Sequence, residues 1–382
     1  TTASSNTAVG NNALTANTTG ANNTALGYVA GYALTTGTNN ILIGGNAGDA
    51  ITTGTDNVAL GRAALTSDTL GQSSVAIGHQ ALFSQNFTSA TNTYNTAVGK
   101  NAGLSVTTGL ENTLIGGLAG DALTDADYNT AIGSLALTAD TLGSRTVAIG
   151  TGALAQQNFT SATNAYNVAV GFSAGTSVTT GVSNTLIGGL AGDALTSGNS
   201  NVALGFNALT ADTLGDRAVA IGLNALASQN FASSTDNYNV GVGYQAGYAV
   251  TTGVNNTLIG GLAGDAITTA SYSVAVGQGS ATNTTTSSQG FTAVGADSLF
   301  TNTTGTDNVA VGRASMYSNT TGGNNVAVGR SALQANTTAS NNTAVGHNAG
   351  LSVTTGVQNT FIGGFAGDGT DDGNYNVAIG SG

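Results

Sequence analysis

The chain of 382 residues has no cysteine, no proline and no tryptophan, and only 6% of it is charged. Without cysteine there can be neither disulfides nor thiolate metal sites, and composition leaves the redox compartment open. Six Lys and Arg stand against eighteen Asp and Glu, a formal net charge of −12. That balance cannot neutralise a phosphate backbone or dock on an anionic bilayer, so no nucleic-acid partner is expected. Apolar runs fall well short of the roughly 18 residues that span a membrane, which argues against membrane insertion. The chain opens at Thr1 without a methionine or a signal-peptide pattern and reads as soluble and processed. Low charge could also mean disorder, but 40% hydrophobic content, much of it Val, Ile, Leu and Ala, argues against it.

What the chain has in abundance is glycine, 58 residues of it, on a fixed period. A signature of Asn, Thr or Val, Ala, aliphatic, Gly ends at Gly10, Gly27, Gly44, Gly61, Gly78 and onward to Gly380, giving 22 units. Successive glycines lie 17 residues apart, except for one step of 18 from Gly277 to Gly295 and three steps of 21 ending at Gly99, Gly171 and Gly243. The middle of the chain therefore also repeats in four-unit blocks of 72 residues, seen at Gly78, Gly150 and Gly222 and at Asp49, Asp121, Asp193 and Asp265. Residues 1–382 read as one continuous repeat domain, with insertions near 83–94, 155–166 and 227–238.

Within a unit, the residue before the glycine is aliphatic (Val9, Leu26, Ile43) and two places earlier stands Thr, Val or Ile, the alternation of a β-strand. Between them lies Ala, or Leu42, Leu114, Leu186, Leu258 or Phe361. Both faces of this strand are thus apolar. The larger flanking residues are expected to fill the coil's interior, leaving the Ala, Leu and Phe face for a second chain to cover. Ala13-Leu14 and its equivalents suggest a second short strand, and the polar, Gly-punctuated remainder suggests a turn.

A 17-residue unit cannot close a core alone and must stack on its neighbours. The expectation is an all-β parallel β-roll or β-solenoid of 22 coils, on the order of 100 Å long at about 4.8 Å per coil. Like residues then sit above like. Charges are scarce because equal charges about 5 Å apart repel. Asn occupies the position four before the glycine in 17 of 22 units (Asn6, Asn23, Asn40), where amides can bond along the stack. Proline would break the ladder. Two-sided apolarity points to a homotrimer, and the absence of a capping unit at either end to end-to-end filaments or to flanking sequence.

Units such as Ser74-Val75-Ala76-Ile77-Gly78 and Asn376-Val377-Ala378-Ile379-Gly380 resemble the head repeats of trimeric autotransporter adhesins. The longer form, Asn6-Thr7-Ala8-Val9-Gly10-Asn11-Asn12-Ala13-Leu14, is similar to repeats of phage tail fibres and bacterial surface fibres. The resemblance spans the chain and implies a left-handed β-roll wound as a trimer, outside the cell, in an attachment role. It differs from the adhesin head in its longer unit.

Candidate chemistry is thin. His79 and His347 lie far apart along the repeat. Gly44-Gly45-Asn46-Ala47-Gly48-Asp49 has the look of a phosphate loop but lacks the following Lys and helix. Symmetry-related copies of Asp49 could hold a cation on a trimer axis, or could be solvated turn residues. No nucleophile stands beside a His, so neither an enzyme nor a cofactor is expected. The insertions carry Phe87 and Tyr94, Phe159 and Tyr166, Phe231 and Tyr238, candidate contacts for carbohydrate or a cell-surface receptor, unless they fold back on the stack. The reading is an extracellular structural fibre with an adhesive role. Its rival is ice binding through Thr rows such as Thr18-Thr19 and Thr35-Thr36, interrupted at Thr69-Leu70.

Overall fold

A computed structural model describes residues 3–285 and 290–382. The chain is an all-β parallel solenoid of about 22 turns, roughly 17 residues apart, with no helix among the described residues. It divides into two compact units, Thr1–Leu190 and Ala191–Gly382, each with eleven coils.

Every coil contributes one three-residue strand, such as Thr7–Val9, Thr24–Leu26 and Ile41–Ile43. Neighbours pair in parallel with like on like: Thr7 with Thr24, Ala8 with Ala25, Val9 with Leu26. In the second unit Val309, Ala310 and Val311 pair with Val326, Ala327 and Val328. The Thr7 N–H donates to the Asn23 carbonyl and the Gly27 N–H to the Val9 carbonyl, both at 2.8 Å. The motif glycine is obligatory for two reasons. Gly10 has φ +133°, and a Cβ there would overlap the carbonyl oxygen of Gly27 one coil on.

The structure reverses the expected faces. The central strand residue points inward: Ala25, Ala59, Leu42, Leu114, Leu186, Leu258 and Phe361 are fully buried. The flanking residues point outward, with Val9 56%, Leu26 46% and Leu60 42% exposed. The interior of a 17-residue coil is narrow, so alanine fits the centre and a larger residue fits only where glycine yields space. A Cβ on Gly31 would lie 2.7 Å from Leu42 Cδ1, and one on Gly48 2.7 Å from Leu42 Cδ2. The same three-part fit recurs as Gly103, Leu114 and Gly120, and as Gly350, Phe361 and Gly367. In coils that neither hold such a large centre nor precede one, a leucine such as Leu65 or Leu82 commonly takes the glycine's position and fills the gap.

The expected second strand at Ala13-Leu14 is absent. The chain there turns through alternating left-handed residues, Asn12 at φ +60° and Leu14 at φ +50°. Left-handed backbone costs a leucine about 1–2 kcal/mol. Burial of the side chain contributes about 2–3 kcal/mol, so packing holds the conformation. Among the described residues second strands occur only at the insertions, where Gly71–Gln72 pairs with Thr91–Asn92, Gly143–Ser144 with Thr163–Asn164 and Gly215–Asp216 with Thr235–Asp236.

Where asparagine stands four before the motif glycine it is buried, except in the two end coils, and works along the stack as expected, mainly through the backbone. Asn23 Oδ1 accepts the Asn40 N–H at 2.9 Å, and Asn23 Nδ2 donates to the Gly37 carbonyl at 2.9 Å. Direct amide-to-amide bonds are fewer, as from Asn40 Nδ2 to Asn23 Oδ1 at 3.1 Å.

Candidate functional site

One interior corner, seven residues after the motif glycine, is where the coils differ most. It holds Leu34, Ile51, Val106 and Leu123 in ordinary coils, but Asp68 and Gln85, Asp140 and Gln157, and Asp212 and Gln229 around the insertions, all fully buried. Asp68 Oδ1 accepts the Gly71 and Phe87 N–H groups at 3.0 and 3.4 Å, and Oδ2 accepts Gln85 Nε2 at 2.6 Å. Gln85 Oε1 accepts Asn95 Nδ2 at 2.9 Å. Burial pushes the carboxyls of Asp68, Asp140 and Asp212 up, against the opposing pull of these hydrogen bonds. Each carboxylate thus anchors the base of an inserted loop. With every bond directed to the protein's own groups, the corner is a structural plug.

The loops above these plugs split the six aromatic candidates cleanly in two. Phe87, Phe159 and Phe231 are 5–6% exposed: they fold back as hydrophobic feet, and a Cβ on Gly143 would lie 2.8 Å from the Phe159 ring. Tyr94, Tyr166 and Tyr238 are 51–55% exposed. Tyrosine alone is therefore presented outward. Arg217 lies over the Tyr238 ring, 5.7 Å from its centroid, and pairs with Asp236. Arg145 lies 4.9 Å over Tyr128.

The first threonine of each pair bonds along the stack. Thr18 Oγ1 donates to the Thr35 carbonyl at 3.1 Å, Thr35 to Thr52 at 3.1 Å, and Thr52 to Thr69 at 3.0 Å. The second threonines of these pairs, Thr19, Thr36 and Thr53, lie exposed. Asp49, Asp121 and Asp193 are held internally, whereas Asp265 Oδ1 is buried without a hydrogen-bond partner. Asp49 accepts the Thr66 hydroxyl and, at 2.9 Å, Asn46 Nδ2, while Asp121 and Asp193 accept Thr138 and Thr210 at 2.5 Å. Among the described residues no three His, Cys, Asp or Glu side chains gather as a metal-binding set. No helix among them is long and apolar enough to cross a membrane.

The feature that sequence reasoning placed on the wrong side is the outward strand face. Over eleven consecutive coils in each unit it consists of Thr, Val, Ile and Leu, without a charge or an amide. Compared with known proteins, the chain matches no protein-family model and no curated sequence.

Proposed function

We propose that this chain is a structural segment of an extracellular fibre, in which three copies pack along their outward strand faces and the remaining surface serves attachment. The observation that carries this reading is the bare face itself. Parallel sheets are ordinarily covered on both sides. Here the coil's own interior covers one side, and the other is an uncharged strip about 7 Å wide on every coil of a unit, one column aliphatic throughout and the other Thr, Val or Ile. A strip of that length is what an assembly interface requires and what a monomer avoids. Interruption of the threonine rows at Thr69-Leu70 weighs against the ice-binding alternative. The exposed Tyr94, Tyr166 and Tyr238 give the fibre repeated aromatic contacts, many weak sites acting together.

Sedimentation equilibrium tests the assembly. The wild-type chain is expected at three times its 37.0 kDa mass. Leu60→Glu with Leu204→Glu, at positions 42% and 43% exposed, is expected to give monomers with an unchanged far-UV CD spectrum. A monomeric wild type would overturn the reading.

A further inference from the structure

The second unit carries an open groove of about 500 Å³, within the range of about 300–1,000 Å³ that small-ligand sites occupy. It follows from the corner that holds the buried asparagines. Seven residues after the motif glycine, Asn319, Asn336 and Val353 turn into the interior, so the chain dips there and the residues beside them form a recess. Gln334 and Leu351, five after the glycine, line one side, Thr354 and Asp371, eight after it, line the other, and Ser318, Ala335 and Ser352 lie between. One coil beyond Ser352 its column continues as Gly369, where a Cβ would meet open space. In the opposite direction the column of Gln334 continues as Tyr317 and Phe300, whose rings are parallel with centroids 5.0 Å apart.

The polar groups along this groove are free. Neither the hydroxyls of Ser318 and Ser352 nor the Gln334 amide bonds to another side chain or carbonyl among the described residues. Asp371 Oδ1 accepts the Thr354 hydroxyl, which leaves Oδ2 unbonded. Elsewhere this corner closes on itself: five after the glycine, Asp49, Asp121 and Asp193 each accept a threonine hydroxyl from the next coil. The backbone here is bonded from coil to coil. The Ser318, Ala335 and Thr354 N–H groups donate to the Gln334, Leu351 and Asp371 carbonyls at 3.0, 3.1 and 2.9 Å.

We infer that this groove binds the neutral sugar residues of a glycan. A pyranose ring presents apolar C–H faces and a rim of hydroxyls. Leu351 and Ala335, with the aromatic pair at one end, suit the faces. Two hydroxyls and an amide, which both donate and accept, and a carboxylate, which accepts, suit the rim. No basic side chain lines the groove and Asp371 opposes an anion, so acidic sugars and phosphates are disfavoured. A peptide strand is disfavoured because the backbone groups it would pair with are already bonded. This gives the attachment role proposed above a chemical class of target, and rests on that reading for its biological sense. All the lining residues belong to one chain, so the binding itself does not depend on trimer formation.

Saturation-transfer difference NMR on the full chain, with maltotetraose, cellotetraose, laminaritetraose and mannotetraose as probes, tests the site. At least one of these is expected to bind, and tetragalacturonate is expected not to. Q334A/D371A is expected to weaken that binding at least about ten-fold, through loss of a neutral and a charged hydrogen bond. Ser352→Trp, which fills the groove from a half-buried position, is expected to abolish it, while Ser177→Trp, at the equivalent place in the first unit, binds as wild type. Far-UV CD and the unfolding midpoint show that each variant is folded. Silence of all four neutral probes, equal binding of tetragalacturonate, or undiminished binding by either groove variant would each overturn the inference. None of these results bears on sedimentation, so the fibre reading stands or falls separately.

Discussion

Two stretches of the same interior corner solve one problem differently. At Asp140 and Gln157 a carboxylate on one coil meets an amide on the next, and the pair closes on itself. Asp140 Oδ2 accepts Gln157 Nε2 at 2.6 Å and Gln157 Oε1 accepts Asn167 Nδ2 at 2.8 Å. At Asn302, Asn319 and Asn336 three amides form a ladder, Asn319 Nδ2 to Asn302 Oδ1 and Asn336 Nδ2 to Asn319 Oδ1, both at 2.7 Å. An amide ladder has a direction and must end. Where Val353 follows Asn336, the Asn336 Oδ1 is buried without a partner, as is Asn17 Oδ1 beneath Leu34. A charged group cannot repeat on the next coil but can be fully satisfied by one neutral neighbour. A neutral group can repeat indefinitely but leaves an orphan at its end.

The contrast breaks most severely at the closed pair. Gln157→Leu removes the donor to a buried carboxylate and the acceptor for Asn167, and is expected to cost about 4 kcal/mol, read from the midpoint of chemical unfolding. The ladder should respond according to position. Asn319→Leu severs it in the middle and orphans Asn302 Oδ1, an expected loss of about 2 kcal/mol. Asn336→Leu only moves the orphan by one coil while adding buried apolar surface, so its effect should lie within about 1 kcal/mol of zero. Equal effects at 319 and 336 would remove the idea of a directional ladder.

The smallest effect is on pH. Burial raises Asp68, Asp140 and Asp212 above the ordinary aspartate value of 3.8, so in the window between that value and the folded one the native state holds more protons than the unfolded chain. Stability contributed by these groups therefore rises as pH falls through the window and is lost as pH climbs. Unfolding midpoints at mildly acidic and neutral pH should show this gain in wild type and a reduced gain in D68N/D140N/D212N. The Asn ladder, lacking a titratable group, is silent in the same measurement.

Period, strand position and the asparagine column were legible because each depends on residues with one structural use: a glycine at φ +133° and an amide that must pair when buried. Which face points inward was not. Val, Ile and Leu flank an Ala, and bulk alone suggests that the larger residues fill the core. The deciding signal was present in a correlation between coils: Leu42, Leu114, Leu186, Leu258 and Phe361 each have a glycine six residues later and another eleven residues earlier. Only an inward-facing side chain needs that clearance. The buried aspartates Asp68, Asp140 and Asp212 carried no mark in the sequence because a partner such as Gln85 lies 17 residues away, and the loop aromatics were left open between outward contact and folding back because a loop has no period to read.

The fit of Leu42 between Gly31 and Gly48 also constrains how such a gene can grow. Recombination that inserts or removes a single coil would in many places bring a strand-centre leucine against another leucine, with no clearance on one side. Copying a stretch that carries glycine, leucine and glycine together leaves every contact intact. The 72-residue block does this, delivering Gly103, Leu114 and Gly120 and, two blocks later, Gly247, Leu258 and Gly264 as complete sets. Length in this molecule is therefore heritable in quanta of four turns, a grain imposed by side-chain volume on the DNA that encodes it.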